Sequence, residues 1–175
     1  KMTVVEHEAD DEKLLETAMA LCSDAELDRD SGEAVGEPTE CALVNDAAKN
    51  GLPKPELEKE YERVGEAPFD SMRKMMSTVH RTPDNKIIQF TKGAPDEILK
   101  RCAYALRDGE KVPMTDQVRE EILKNNKAMA DRALRVLCAS LREWDDVPQN
   151  TEPEYLEKDL TYVGLSGMID PVRPE

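Results

Sequence analysis

Residues 74–95 read KMMSTVHRTPDNKIIQFTKGAP. Two runs of strand length, rich in Met, Val, Ile, Thr and Phe, flank the turn formers Pro83-Asp84-Asn85. The pattern predicts an antiparallel hairpin, 74–81 pairing with 86–92. Gly93-Ala94-Pro95 ends the second strand, and Pro95 suits the first turn of a helix running through Cys102. A hairpin that passes directly into a helix calls for a sheet with helices laid on it, and the flanking sequence agrees. Upstream, 62–69 reads as a further strand. Downstream, 104–107 and 111–113 form a second small hairpin about Asp108-Gly109. Thr115 or Asp116 caps a helix to about Met129, with Val118, Ile122, Leu123 and Met129 inward. Apolar residues then mark strands at 134–141 and 160–168. Toward the start, Asp10 or Asp11 caps a helix to about Cys22, whose stripe is Leu14, Leu15, Ala18, Met19 and Cys22. The acidic stretch 24–37 reads as a loop. Pro38 opens and Gly51 closes a helix presenting Ala42, Leu43, Ala47 and Ala48, and a short polar helix comes next at 56–60. The expected fold is α+β, a largely antiparallel twisted β-sheet flanked by helices, in a single domain over 1–175.

Composition narrows the function. The 175 residues carry 24 Lys plus Arg against 38 Asp plus Glu, a net charge of −14. Neutralising a phosphate backbone needs a surplus of cations, so a nucleic-acid polymer is a poor partner, and an anionic membrane surface is disfavoured for the same reason. No apolar run approaches the ~20 residues that span a bilayer. Cys22, Cys41, Cys102 and Cys138 are far apart, with no CxxC and no clustered His, which argues against zinc or a redox pair and for four free, buried thiols. The opening Lys1-Met2-Thr3-Val4 and the closing Pro174-Glu175 read as cuts within a longer polypeptide.

Four segments carry chemistry. Lys92-Gly93-Ala94-Pro95 puts a compact charge at a strand end beside a residue without Cβ, where backbone can approach a ligand. Phe69-Asp70-Ser71-Met72-Arg73-Lys74 sets a rare aromatic against a polar turn with two cations, and Met76 can line the same apolar slot. Leu134-Arg135-Val136-Leu137 places an Arg at the start of an apolar strand, where its fork suits phosphate or ribose oxygens. Asp170-Pro171-Val172-Arg173-Pro174 is a stiff, extended linker. Each also has a plain structural reading: a strand-to-helix turn, a core Phe with solvated cations, an Arg paired to a surface acid.

In order along the chain, these segments resemble the nucleotide-binding domain of P-type ATPases, the ion pumps that pass through an aspartyl phosphate. The type II group, which includes calcium pumps of the sarcoplasmic-reticulum kind, is the nearest likeness. Lys1-Met2-Thr3-Val4 resembles the residues immediately after the DKTGTLT motif. Gly36-Glu37-Pro38-Thr39-Glu40 resembles G-(D/E)-P-T-E, and Phe69-Asp70-Ser71 with Arg73-Lys74 resembles FDS-x-RK. Lys92 to Pro95 resembles KGAPE, Leu134 to Leu137 the LRVLA-like strand, and 170–174 the DPPRP return segment.

The resemblance implies that ATP or ADP is the ligand, with Mg²⁺ accompanying ATP in the full-length pump. It implies that Phe69 stacks on adenine, that Glu40 bonds the adenine amino group with Thr39 beside it, and that Met76 and Leu137 line the slot. Lys92 lies at its inner end, Gly93 and Ala94 let the base approach the backbone, and Lys74 and Arg135 sit near ribose and phosphates. Segments 1–5 and 168–175, with Asp170, Pro171 and Arg173, become hinge strands toward a phosphorylation domain. That domain and the actuator domain are the implied partners, with no direct membrane contact by this domain and a cytoplasmic location in an integral membrane protein. Calcium is the implied transported cation. Four positions depart from the pattern: Ser71 stands where sarcoplasmic-reticulum-type pumps have an Arg, Cys41 follows Glu40 where the family often has Gly or a small residue, Val172 replaces the second Pro, and Cys138 follows Leu137 where Ala is usual. The phosphorylated Asp and the Mg²⁺-binding GDGxND segment are not in the sequence, so the chain is expected to bind ATP without hydrolysing it, with no metal site and no catalytic residue of its own. Two rivals remain: an acidic protein-interaction domain, which the −14 charge and the 24–37 loop support, and a haloacid-dehalogenase phosphatase, whose DxDx(T/V) segment is absent.

Overall fold

The computed structural model describes residues 2–170. In chain order the elements are β1 (Thr3–Ala9), α1 (Glu12–Leu21), β2 (Glu26–Leu27), β3 (Ala34–Val35), α2 (Pro38–Lys49), α3 (Lys54–Glu60), β4 (Glu62–Asp70), β5 (Met75–Arg81), β6 (Ile87–Gly93), α4 (Pro95–Leu99), β7 (Cys102–Arg107), β8 (Glu110–Pro113), α5 (Asp116–Asp131), β9 (Arg135–Trp144), α6 (Pro153–Leu156) and β10 (Leu160–Ile169). Helix starts are chemically marked. Asp11 accepts from the Leu14 N–H at 3.0 Å, Glu37 from the Glu40 N–H at 3.0 Å ahead of Pro38, and Thr115 from the Val118 N–H at 3.2 Å. Each bond satisfies a donor that the helix leaves open, worth about 1 kcal/mol for an Asp or Thr cap.

Eight strands form one sheet in the order β4-β5-β6-β9-β10-β7-β8. All pairings are antiparallel except β10 with β7, which covers 160–162, and β1 takes the rest of that edge at 164–169. Asp108 and Gly109 both have positive φ, 52° and 79°, as a two-residue hairpin turn needs. Strand alternation sorts the core into two faces. Met76, Phe90 and Ala139 face α1 and α2, and Met75, Cys138 and Leu165 face α4 and α5. The helices thus cover both sides of the sheet.

The expected α+β fold holds, with local corrections. Segment 24–37 is not all loop, because β2 and β3 pair within it. The helix after Pro95 stops at Leu99 and β7 begins at Cys102. β9 runs on to Trp144, because Ile87 to Gly93 of β6 offer it partners that far. Leu123 is exposed, since only Ile122 and Met129 of α5 are fully buried. Lys74 belongs to the turn before β5, with φ 61°. None of the four cysteines is in a disulfide; three are buried and Cys41 is half-buried. Burial pushes the thiols of Cys22, Cys102 and Cys138 up, that of Cys102 to about 12, so these three are packing groups rather than nucleophiles.

His80 makes the core sensitive to acid. It is buried against Phe90, with ring centroids 5.8 Å apart. Its Nδ1–H donates to the Tyr61 carbonyl at 3.2 Å and Nε2 accepts from the Thr78 hydroxyl at 2.8 Å, which satisfies the neutral ring. Burial pushes its pKa down to about 4. As pH falls below about 6.5 the unfolded chain protonates this ring before the folded one does, so stability drops with acid. His80 should cost about 2–3 kcal/mol between pH 7 and pH 4.5, since one pKa unit is about 1.4 kcal/mol. Urea unfolding at the two pH values should show a smaller drop for His80→Gln, and an equal drop in both proteins would refute the assignment.

Candidate functional site

Register builds one wall of the site. Met76 lies opposite Lys92, and Lys92 opposite Ala139, so these three share a face across β5, β6 and β9. Two and four residues before Ala139, Leu137 and Arg135 stand on that face too. The first turn of α2 brings Thr39 and Glu40 from the opposing layer, with Gly36, Glu37 and Asp24 beside them. Phe69 comes from the end of β4. Together these residues line a cavity of about 510 Å³, within the usual range for small-molecule sites. Eight residues singled out from sequence converge here: Thr39, Glu40, Phe69, Met76, Lys92, Gly93, Arg135 and Leu137.

The polar groups are pre-arranged. Lys92 is nearly buried, and its Nζ donates to Glu40 Oε2 at 3.1 Å. Glu40 Oε1 accepts from the Asp24 N–H at 3.0 Å. A carboxylate has about four acceptor positions, so Glu40 can take a further donor. Arg135 is exposed, and its guanidinium has no hydrogen-bond or ion-pair partner among the described residues, contrary to the plain reading of a surface pair. The two phenylalanines divide cleanly. Phe90 is 1% exposed and belongs to the core, whereas Phe69 is 60% exposed and offers a ring to solvent.

Other candidates fall elsewhere. Lys74 and Ala94 do not line the cavity. Lys74 is exposed, and its carbonyl accepts from the Ala94 N–H at 3.0 Å, so the two extend the β5–β6 ladder one step beyond Met75 and Gly93. Gly93 lines the cavity, and the absence of a Cβ there also has a packing reason. A Cβ there would fall on the Lys74 carbonyl oxygen and lie 2.6 Å from Met75 Cβ, so the close approach is strand to strand. Asp170 is exposed just beyond β10, and Pro171 and Arg173 lie outside the described residues.

Several supporting groups were not legible in sequence. Lys54 is fully buried, and its Nζ donates to the carbonyls of Ser23 and Ala25 and to Ser23 Oγ. Arg63 donates to the carbonyls of Leu21 and Ser23 and to Asp24 Oδ1. These cations tie down the segment whose Asp24 N–H holds Glu40. Arg73 turns away from the cavity to pair with the buried Glu157, through Nε to Oε1 at 2.6 Å and Nη2 to Oε2 at 3.1 Å. The run of backbone acceptors around Lys54 leaves no signature in a sequence.

A second polar cluster joins β1 to the helices. His7 Nε2 lies 2.9 Å from Asp46 Oδ2 and 3.5 Å from Glu16 Oε2, and Nδ1 meets Ser166 Oγ at 3.0 Å. Asn50 donates to Glu16, and burial pushes that carboxyl up to about 7. Among the described residues this is the one group of three side chains with metal-ligating atoms close together, and its own hydrogen bonds close it. No helix of the described residues is long and apolar enough to cross a membrane.

Residues 12–175 match the family model described as P-type ATPase, cytoplasmic domain N. A calcium-transporting ATPase of Bacillus cereus is 42% identical over 166 residues, 95% of this chain and 18% of that protein. One from Listeria monocytogenes is 38% identical over 170 residues, 96% of this chain and 19% of that protein. Human plasma membrane calcium-transporting ATPase 4 is 35% identical over 153 residues, 81% of this chain and 12% of that protein. The chain therefore spans less than a fifth of these relatives. With a match over nearly its full length, an α+β fold and an ordered set of motifs that converge on one cavity, the chain belongs to the P-type ATPase family as a cytoplasmic N domain.

Proposed function

We propose that the cavity binds ATP or ADP. Phe69 stacks on the adenine, Met76 and Leu137 form its apolar walls, and Glu40 accepts from the exocyclic amine with Thr39 beside it. Lys92 closes the inner end, and Arg135 meets the phosphates at the mouth. The observation that carries this reading is the meeting, in one cavity of about 510 Å³, of an exposed aromatic, apolar walls, a part-buried Lys–Glu pair and an Arg without a partner among the described residues. An acidic surface does not oppose it, because two local cations suffice for a single triphosphate.

In a full-length pump the bound nucleotide would present its γ-phosphate to the aspartate of a neighbouring phosphorylation domain, with the actuator domain as further partner. The segment around Asp170, Pro171 and Arg173 would serve as hinge, and the transported cation would be calcium, as in the names of the relatives. Mg²⁺ would arrive with the phosphates. Phosphoryl transfer requires a positioned acceptor and neutralised charge. The chain has no DKTGT segment, so it should bind ATP and release no phosphate. Lys92→Met should weaken ATP binding about 10-fold, a loss of about 1.4 kcal/mol. Calorimetric titration of both proteins tests this, and equal affinities would refute the role of Lys92.

A further inference from the structure

The connection that presents Phe69 contains an irregularity. In the β4–β5 ladder Ala67 pairs with Ser77 and Asp70 with Met75, so three steps on β4 match two on β5. This is a β-bulge at Pro68 and Phe69. Side chains alternate along a strand, so without the extra residue Phe69 would share the face of Ala67, which packs with Val79 and Leu156 away from the cavity. The bulge shifts the parity. Asp70 now shares the face of Met75, and Phe69 falls on the face of Met76 and Lys92.

The bulge is held from one side by Arg73. Its Nη2 donates to the Pro68 carbonyl at 2.9 Å, and Nη1 lies 3.8 Å from Asp70 Oδ2. Arg73 is itself fixed bidentately by Glu157, whose side chain is fully buried at the end of α6. Glu157 Oε2 also accepts from Ser77 Oγ at 2.7 Å, which ties it to the residue opposite Ala67. The carboxylate thus touches β5 directly at Ser77 and reaches the bulge of β4 through Arg73. A planar guanidinium held by two parallel bonds has one orientation, which a single-point contact would not give.

We propose that Glu157, acting through Arg73, is a positioning residue for Phe69: it locks the β4 bulge in the register that turns the ring into the nucleotide cavity. The proposal rests on the nucleotide reading above. Its consequence is that Glu157, 88 residues from Phe69 in the chain, controls base affinity without touching the base.

The test is a double-mutant cycle on the 175-residue chain, with ATP and inorganic tripolyphosphate as probes and a thermal melt to show each variant folded. Glu157→Gln should weaken ATP about 10-fold and leave tripolyphosphate unchanged. In a Phe69→Ala background it should cost ATP nothing further. Arg73→Lys keeps the charge and loses the fork, so it should reproduce the ATP-selective loss should Glu157→Gln fail to fold. Equal losses for both probes, no loss for ATP in folded Arg73→Lys, or a loss that persists without Phe69 would each overturn the proposal. If Phe69→Ala itself leaves ATP affinity intact, the nucleotide reading falls and takes this proposal with it. If Phe69→Ala weakens ATP while Arg73→Lys does not, only the positioning role falls.

Discussion

Phe69→Ala should weaken ATP binding by roughly 10- to 100-fold and leave the melting temperature nearly unchanged. Stacking of a base on an aromatic ring is worth ~1–3 kcal/mol, and about 1.4 kcal/mol is a factor of ten in affinity. The fold should not suffer, because a ring 60% exposed leaves no sealed cavity when removed. Phe90→Ala is the matched contrast. That ring is 1% exposed and packs among Leu15, Met19 and Met76, so its removal should cost about 3–5 kcal/mol of stability. Titration calorimetry and thermal melts separate the two effects. An unchanged ATP affinity in Phe69→Ala would sink the stacking role.

Gly93→Ala should destabilise the domain by about 3 kcal/mol or more. The new methyl would collide with the Lys74 carbonyl oxygen and with Met75 Cα and Cβ, the last two at 2.7 and 2.6 Å. Most of these are backbone atoms. They cannot withdraw, because β5 is held between β4 and β6 and the Lys74 carbonyl is bonded to the Ala94 N–H. Overpacking of a side chain costs about 1–3 kcal/mol, and a clash with fixed backbone sits at or above the top of that range. Gly65→Ala is the control, since its nearest neighbours are side-chain atoms at 3.5 Å, an ordinary contact. Urea denaturation should show a large loss for Gly93→Ala and a small one for Gly65→Ala. Equal stabilities would contradict the packing account.

The parts of the fold legible in sequence are those fixed by neighbours in the chain. The two strand-forming runs about Pro83-Asp84-Asn85, the Asp108-Gly109 turn and the caps at Asp11 and Thr115 all act within a few residues, and all appear as expected. The site was legible where a residue type is scarce or out of place. Phe69 is one of two phenylalanines, and Arg135 opens an apolar strand. What escaped was set by long-range partners. Arg73 looked like a solvated cation because its carboxylate, Glu157, lies 84 residues away. Lys54 gave no signal because its acceptors are backbone carbonyls. Gly93 was noticed as a place where backbone could approach a ligand, but its packing role was not legible, since the atoms its missing Cβ spares belong to β5, a distant partner. The β2–β3 ribbon was missed because two-residue strands carry no periodicity.

The central claim is that one cavity between α2 and the β5–β6–β9 face holds the nucleotide. The most direct measurement is an amide chemical-shift titration of the 175-residue chain with ATP. The account predicts saturable shifts concentrated at Glu40, Phe69, Met76, Lys92 and Arg135, with the His7–Glu16–Asp46 cluster and α5 unmoved. Shifts scattered over the acidic surface, or centred on that cluster, would contradict it.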